Sequence, residues 1–513
     1  MTFALFQLLA PDNSVDSFFI ACFVAATVFV GLKWGRGLDE LSAIPIIGPS
    51  GWFASCQGAR VFEKHAYKMV QEGVKKYPGQ MFRVPRMGWT VVVSGRRMIN
   101  ELRAARDTDL SLDKSVEQSL QSKYTVGPSI GNADRSHMRV IQSELTRNIS
   151  IFFDDLHDEM CAAFSDNITF ENGEEWISIP ASSAIMSIVA RTSNRVFVGL
   201  PLCRDKAFLA SNMEFASSIM GTAQRMNRWP VFLQPLVGTV LSPYKKHLPK
   251  LTGHIGAMVA RRMHEDDALG VDRPDRPRDA ISWLLNHYAP GQAEMEMIVM
   301  RVMLLNFVGI HTTTNAFTHA LYHLAAHPEY IAPLRAEVEE VIAKEGWTSL
   351  AMREMHRVDS FLRESGRVCE GNCLVLHRRV VKDGGFTFSD GTTLPKGTLV
   401  AAAVPPAHYN ADTYTDPETF DGFRFSRLRE ADPTKYQMVT TDCDYVQFGH
   451  GQHACPGRFF AVNELKAMLA HLVLHYEVQF EGGPQKPKSD WLDDVALANT
   501  TARVLFRKRV LLQ

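Results

Sequence analysis

The sequence predicts a mainly α fold: a helix-dominated body with a small β region, preceded by an N-terminal membrane anchor helix. Three observations predict it. Apolar residues recur at helical spacing over long stretches, above all from Glu294 to His327 and from Gly457 to Tyr476. Two stretches, Met81 to Ser94 and Gly385 to Val404, alternate in β fashion. Ser17 to Leu32 runs for 16 residues without a charge.

That apolar run lies between Asp12 and Asp16 on one side and Lys33 and Arg36 on the other. It is slightly short of a spanning helix of about 20 residues, and flanking residues lengthen it. The basic flank follows the run, which places the body on the cytosolic side. A cleaved signal peptide is the rival reading, but acidic rather than basic residues precede the run and no clear A-x-A site follows. Residues 1–36 are therefore expected to be the anchor, 37–55 a proline-containing connector and 56–513 the functional domain. In the connector, Ala43-Ile-Pro45-Ile-Ile-Gly48-Pro49 reads as stiff and extended, since proline fixes φ and turns its predecessor away from helix.

Further along, Phe82, Val84 and Thr90 to Val93 give strand character, with Pro85 and Gly88 marking a turn between them. Gly131-Asn-Ala-Asp-Arg135-Ser-His137-Met-Arg139 leads into an amphipathic stretch from Val140 to Phe153. The helix predicted over Glu294 to His327 contains a polar island, Gly309-Ile-His311-Thr312-Thr313-Thr314-Asn315, in an otherwise apolar pattern. In one reading the threonines bond back to carbonyls one turn earlier and His311 is a satisfied core histidine. In the other they do chemistry. Pro328 to Lys344 follows as a helix with proline in its first turn and Glu337, Glu339 and Glu340 on a solvated face.

Phe361-Leu-Arg-Glu364-Ser-Gly-Arg367 sets a carboxylate and a guanidinium three residues apart, where a helix brings them together. In isolation such a pair is often a solvated one of small worth. Asp416-Pro-Glu-Thr-Phe420-Asp-Gly-Phe423-Arg424-Phe425 comes after it. Last is Phe448-Gly-His-Gly-Gln-His-Ala-Cys455-Pro-Gly-Arg-Phe-Phe-Ala461, a glycine-bearing loop that presents one cysteine at the start of an apolar helix. Unpaired N–H groups and the helix dipole point outward there, which favours a thiolate. Gly449, Gly451 and Gly457 allow backbone angles and close approaches that side chains block. Taken alone, Cys455 also fits a small buried thiol.

The pattern Phe448-x-x-Gly451-x-x-x-Cys455-x-Gly457 resembles the haem-binding loop of the cytochrome P-450 family. The resemblance implies the cytochrome P-450 fold, haem b as cofactor and Cys455 as the thiolate ligand of its iron. It further implies that Glu364, Arg367 and Arg424 form a buried network locking that loop. On the long helix, Thr312 matches the family's threonine and Gly309 its small residue, while His311 stands where an acid is commoner; an imidazole also shuttles protons near neutral pH. Cations at the haem propionates are expected from His453 and Arg378, with His137 and Arg139 standing in for a W-x-x-x-R arrangement that this chain lacks.

Val308-Gly-Ile-His-Thr-Thr-Thr314, Glu144-Leu-Thr-Arg-Asn148 and Asp359-Ser-Phe-Leu-Arg-Glu364 resemble fungal members that oxidise terpenoids. The implied activity is a monooxygenase that inserts one oxygen atom from O2 into a C–H bond of a lipophilic substrate: a terpenoid, a sterol or another secondary metabolite. Thiolate ligation favours that chemistry. Electrons are expected from NADPH through a membrane-bound reductase, because the chain has no G-x-G-x-x-G segment of its own. Arg135, Arg139 and Arg458 are candidate docking cations. By analogy the substrate cavity is lined from Leu110 to Ile130, from Phe208 to Leu233, by Val308 and Thr312, from Cys373 to Val375 and from Leu497 to Thr500. A haem-thiolate isomerase or dehydratase acting without O2, and a non-catalytic haem sensor, are the alternatives.

Lys+Arg 55 against Asp+Glu 56 leaves no global field to attract nucleic acid. The eight cysteines include no C-x-x-C pair, which speaks against a structural zinc site or a disulfide scaffold; Cys369 and Cys373 read as packing residues. The expected location is the endoplasmic reticulum membrane, single-pass, with the body in the cytosol. The sequons at Asn148, Asn167 and Asn499 are then expected to stay unmodified.

Overall fold

The structure is a computed structural model that describes residues 41–49, 54–127, 136–170, 175–229, 233–288, 292–369 and 371–509. The anchor expected over residues 1–36, the Gly131 to Arg135 stretch and parts of the connector lie outside the described residues. The helices that place the site are α1 (Ser136–Val140), α2 (Ile149–Asn167), α3 (Ala181–Phe197), α4 (Lys206–Asn227), α5 (Gln234–Leu241), α6 (Pro243–Leu269), α7 (Met295–Ala326), α8 (Ile331–Glu345), α9 (His356–Val368), α10 (Arg424–Ala431) and α11 (Arg458–His475).

The long helix α7 is the axis of the body, with α3, α6 and α9 packed along it. It is long and apolar enough to cross a membrane, yet 67% of its most apolar window is buried inside the protein, so it is a core helix. Its buried face joins α2, α3 and α11 in one continuous apolar core that includes Phe152, Ile188, Phe317, Leu321, Leu465 and Leu469. Phe460 ties that core to the cysteine loop, its ring 6.0 Å from Phe152 and 5.9 Å from Phe197.

The principal sheet has five strands: β1 (Phe82–Val84), β2 (Thr90–Val93), β3 (Leu110–Ser111), β4 (Leu374–Val380) and β5 (Leu399–Ala403), in the order β1-β2-β5-β4-β3. Only β2 and β5 run parallel; the other pairs are antiparallel. The turn expected at Pro85 and Gly88 forms there, with Met87 at φ 48° and Gly88 at φ 90°. The Gly385 to Val404 region divides into a short hairpin, Phe386–Thr387 with Thr393–Leu394, and β5. A second hairpin, β6 (Asp490–Leu492) and β7 (Val495–Leu497), lies against α7, and Ile177–Pro180, Arg503–Lys508 and Tyr476–Phe480 form a three-stranded sheet.

Two sequence expectations need correction. The stretch from Val140 to Phe153 is not one amphipathic helix: α1 passes into a π-helical turn over Ile141–Leu145, and α2 starts only at Ile149. Glu339 and Glu340 are exposed as expected, but Glu337 is half-buried. Its carboxylate accepts the backbone N–H groups of Arg357 at 2.7 Å and Val358 at 2.9 Å, so it satisfies open donors at the start of α9.

Candidate active site

The cysteine loop is closed by its own backbone. Cys455 N–H donates to the Phe448 carbonyl at 2.7 Å. Gly449 and Gly451 take φ of 69° and 79°, the left-handed region that favours glycine. At Gly451 space forbids a side chain as well, since a Cβ would come within 2.2 Å of Arg103 Cγ. Gly457 differs: its φ is −82°, and an added Cβ would meet nothing closer than Ile141 Cγ2 at 3.5 Å. Neither backbone angle nor protein packing therefore demands glycine at that position.

Gly457 precedes α11 directly, so Cys455 lies at a helix N-terminus. Its half-buried thiol is pushed up by burial; the backbone N–H of Gly457, the Arg458 guanidinium and the Arg458 N–H pull the other way without prevailing. The helix end thus acts on the thiol in the expected direction, and burial acts against it. Arg458 is half-buried and committed to the loop, donating to the Cys455 carbonyl at 2.8 Å and to the Val439 carbonyl at 3.1 Å. Its guanidinium holds the loop backbone.

Beneath this loop lies a buried ion cluster. Arg367 donates to both oxygens of Glu364, Nε at 2.8 Å and Nη2 at 2.7 Å, and Arg424 Nε reaches Glu364 Oε1 at 3.1 Å. Glu364 and Arg367 are fully buried. The remaining donors are also used: Arg367 Nη1 binds the carbonyls of His408 and Pro417, each at 2.7 Å, and Arg424 Nη2 binds that of Thr419 at 3.0 Å. The His408 ring accepts from Val446 N–H at 3.1 Å, which connects the cluster to the strand of chain entering the cysteine loop.

On α7, residues 307, 308, 309, 311, 312, 315 and 316 are accessible, whereas most of the helix around them is buried. That spacing is one face of a helix. Thr312 Oγ1 donates to the Val308 carbonyl at 2.7 Å, the back-bond weighed from the sequence, which leaves its oxygen able to accept. His311 is half-buried, and burial pushes its imidazole below the ordinary histidine range, so it is neutral near pH 7. Among the described residues its ring has no hydrogen-bond partner, unlike a satisfied core histidine.

The four expected propionate cations fall into different settings. Arg378 is 2% exposed, and among the described residues its Nε has no partner. Burial brings its pKa down to about 10, partly opposed by Asp107. A β-bulge between Val375 and Arg378, with Leu376 at φ 52°, sets its direction. His453 Nε2 lies 2.6 Å from Asp107 Oδ1. His137 Nδ1 accepts from Arg301 Nη1 at 2.8 Å, and Arg139 is exposed. Arg301, fully buried on α7, escaped the sequence reading; a lone charge inside an apolar helical pattern was the signal.

The Cytochrome P450 family profile matches residues 41–506. The chain belongs to the cytochrome P450 family. Cytochrome P450 monooxygenase 151 of Postia placenta is 40% identical, covering 95% of this chain and 97% of that protein. Cytochrome P450 monooxygenase CYP512U6 of Ganoderma lucidum is 32% identical over 98% of each. Ent-kaurene oxidase of Gibberella intermedia is 32% identical, over 91% and 88% respectively. Among solved structures, retinoic acid bound cyanobacterial CYP120A1 shares the fold with a TM-score of 0.68 at 17% identity, covering 91% of this chain and 99% of that one. This P450 is thus a monooxygenase with a helix-rich body and a small sheet region.

The family implies haem iron, and the residues present fit it. A cysteine sulfur at an N–H-rich helix end, with the Arg458 guanidinium nearby, is the kind of donor that thiolate-ligated haem iron takes. Arg378 is a buried cation in need of an anion, which a propionate is. Gly457 leaves open the space that a flat macrocycle requires.

Proposed function

We propose that this P450 inserts one oxygen atom from O2 into a C–H bond of a terpenoid, sterol or comparable lipophilic skeleton, with NADPH as electron source through a membrane-bound reductase. The observation that carries this reading is the cysteine loop: a lone thiol at the start of α11, reached by the N–H groups of Gly457 and Arg458, above a buried Glu364, Arg367 and Arg424 cluster. In this reading Cys455 would be the thiolate that holds the iron of haem b. Phe448, Gly451 and Gly457 would shape the loop that holds the macrocycle, Arg378 with His453 and Arg139 would supply cationic character around its propionates, and His137, accepting from Arg301, would add a neutral polar group beside that guanidinium. The haem when bound supplies the oxidation, drawing on O2 and reducing equivalents.

The chain's own residues hold the substrate and govern protons. The accessible stripe of α7 sets Phe307, Val308 and Ala316 beside the polar groups of His311, Thr312 and Asn315. The Thr312 hydroxyl, anchored on the Val308 carbonyl, accepts a hydrogen bond from a neighbouring donor while its own proton stays engaged. The neutral imidazole of His311 takes a proton at one nitrogen and gives one from the other, the part an acid commonly plays in the family. The relation to ent-kaurene oxidase supports a terpenoid substrate.

The same reading places the protein at the endoplasmic reticulum membrane, anchored by residues 1–36 with its body in the cytosol. Exposed apolar side chains on and before α5 support membrane contact by the body too: Trp229 is 48% exposed, Leu236 68% and Val240 77%. The test is turnover in microsomes with a fungal reductase and a panel of diterpenes, triterpenoids and sterols. An oxygenated product that requires both NADPH and O2 supports the reading. Product formed without either points to an isomerase or dehydratase instead.

A further inference from the structure

Asn315 closes the polar island of α7, and the chemistry above leaves it without a task. It stands three residues beyond Thr312 and four beyond His311, one turn on along the accessible face. Its side-chain amide behaves as a strand would. Nδ2 donates to the Ala496 carbonyl at 3.0 Å and Oδ1 accepts from Ala498 N–H at 2.8 Å. Two turns further on, Tyr322 OH donates to the Asn499 carbonyl at 2.7 Å. Ala496 and Ala498 are buried, while Val495 and Leu497 are half-exposed, so the small side chains face inward and the larger ones outward.

The held segment reaches a third part of the site. Ala496 N–H donates to the Gly371 carbonyl at 2.7 Å, and Cys373 N–H donates to that of Asp494 at 2.8 Å. The Asn315 amide thus ties α7 to β7 and the residues after it, and the backbone of that segment is in turn bonded to the chain entering β4.

We infer that Asn315 is a positioning residue: it fixes the wall formed by β7 and the Ala498 to Thr500 segment against α7, and so sets how a substrate lies. This rests on the reading that the face of α7 around Thr312 is the oxidation site. Leucine has nearly the same shape but no polar atoms; in its place the Ala498 N–H and Ala496 carbonyl lose their partner, and the wall is free to shift.

The test uses the full-length, haem-loaded protein and two iron-binding probes, imidazole and a phenyl-substituted imidazole. Imidazole reports access to the iron; the phenyl group reads the wall. For Asn315→Leu the ratio of the two affinities is expected to change by about threefold or more, the scale of one net hydrogen bond, with imidazole itself binding as in the parent. Tyr322→Phe removes only the outer bond and is expected to move the ratio in the same direction. It carries the test if Asn315→Leu fails to take up haem. A ratio unchanged in the haem-loaded variants overturns the inference. A parent protein that binds neither probe overturns the underlying reading instead, so the two failures are distinguishable.

Discussion

At the scale of single residues, the site combines groups whose ionisation burial has shifted in a useful direction. Burial pushes the Cys455 thiol up, opposed by the Gly457 and Arg458 N–H groups and the Arg458 guanidinium. In the proposed function Thr312 and His311 divide the proton work. For Thr312→Ala we predict NADPH consumption with less product and more peroxide, measured as the ratio of product to NADPH oxidised; unchanged coupling would remove Thr312 from its role. The Glu364 cluster is a matter of stability: replacing Arg367 with leucine strands a buried carboxylate, with an expected cost of about 3–5 kcal/mol in denaturant unfolding. The loop motif and this cluster could be read in the sequence because their spacing is local or nearly so. The Asp107 partner of His453 could not, since 346 residues separate them.

At the scale of elements, α7 and α11 were legible from apolar periodicity, and the strands from alternation and their turn residues. What the helices carry between them was not. Glu464 on α11 is fully buried against α3, where Ser193 Oγ donates to its carboxyl oxygens at 2.9 and 3.2 Å. Periodicity marks that position as core without saying that a carboxyl occupies it at low cost. Burial raises its pKa from 4.5 to about 8. Between those values the folded protein keeps a proton that the unfolded chain has released, so stability falls as pH rises through this window and levels off above it. Glu464→Gln should flatten that fall, seen as unfolding midpoints that differ less between pH about 5 and about 8 than those of the parent. An equal slope in both proteins would mean that Glu464 is ionised in the fold. The break between α1 and α2 was also invisible, because a π-helical turn keeps the same residues apolar while shifting their phase.

At the scale of the whole molecule, one apolar core built along α7 supports the helical body and the helix that follows the cysteine loop, while the principal sheet packs in two apolar clusters of its own. The sheet side is pinned by charges distant in sequence. Arg86 reaches Asp493 at 2.9 Å and Asp494 at 3.0 Å across about 400 residues, and no pattern in either segment announces that pairing. For membrane attachment we predict that deleting residues 1–36 makes the protein extractable from microsomes by alkaline carbonate. Adding Leu236→Asp and Val240→Asp should release it further, as measured by the pelleted fraction; persistent pelleting of the combined variant would contradict a two-part attachment. The central claim, that sulfur from Cys455 binds haem iron, is tested most directly by the carbon monoxide difference spectrum of the reduced, haem-loaded protein beside Cys455→Ser. A red-shifted thiolate-type band in the parent that the serine variant lacks is the predicted result. An imidazole-type band in the parent, or the same band in both proteins, would contradict it.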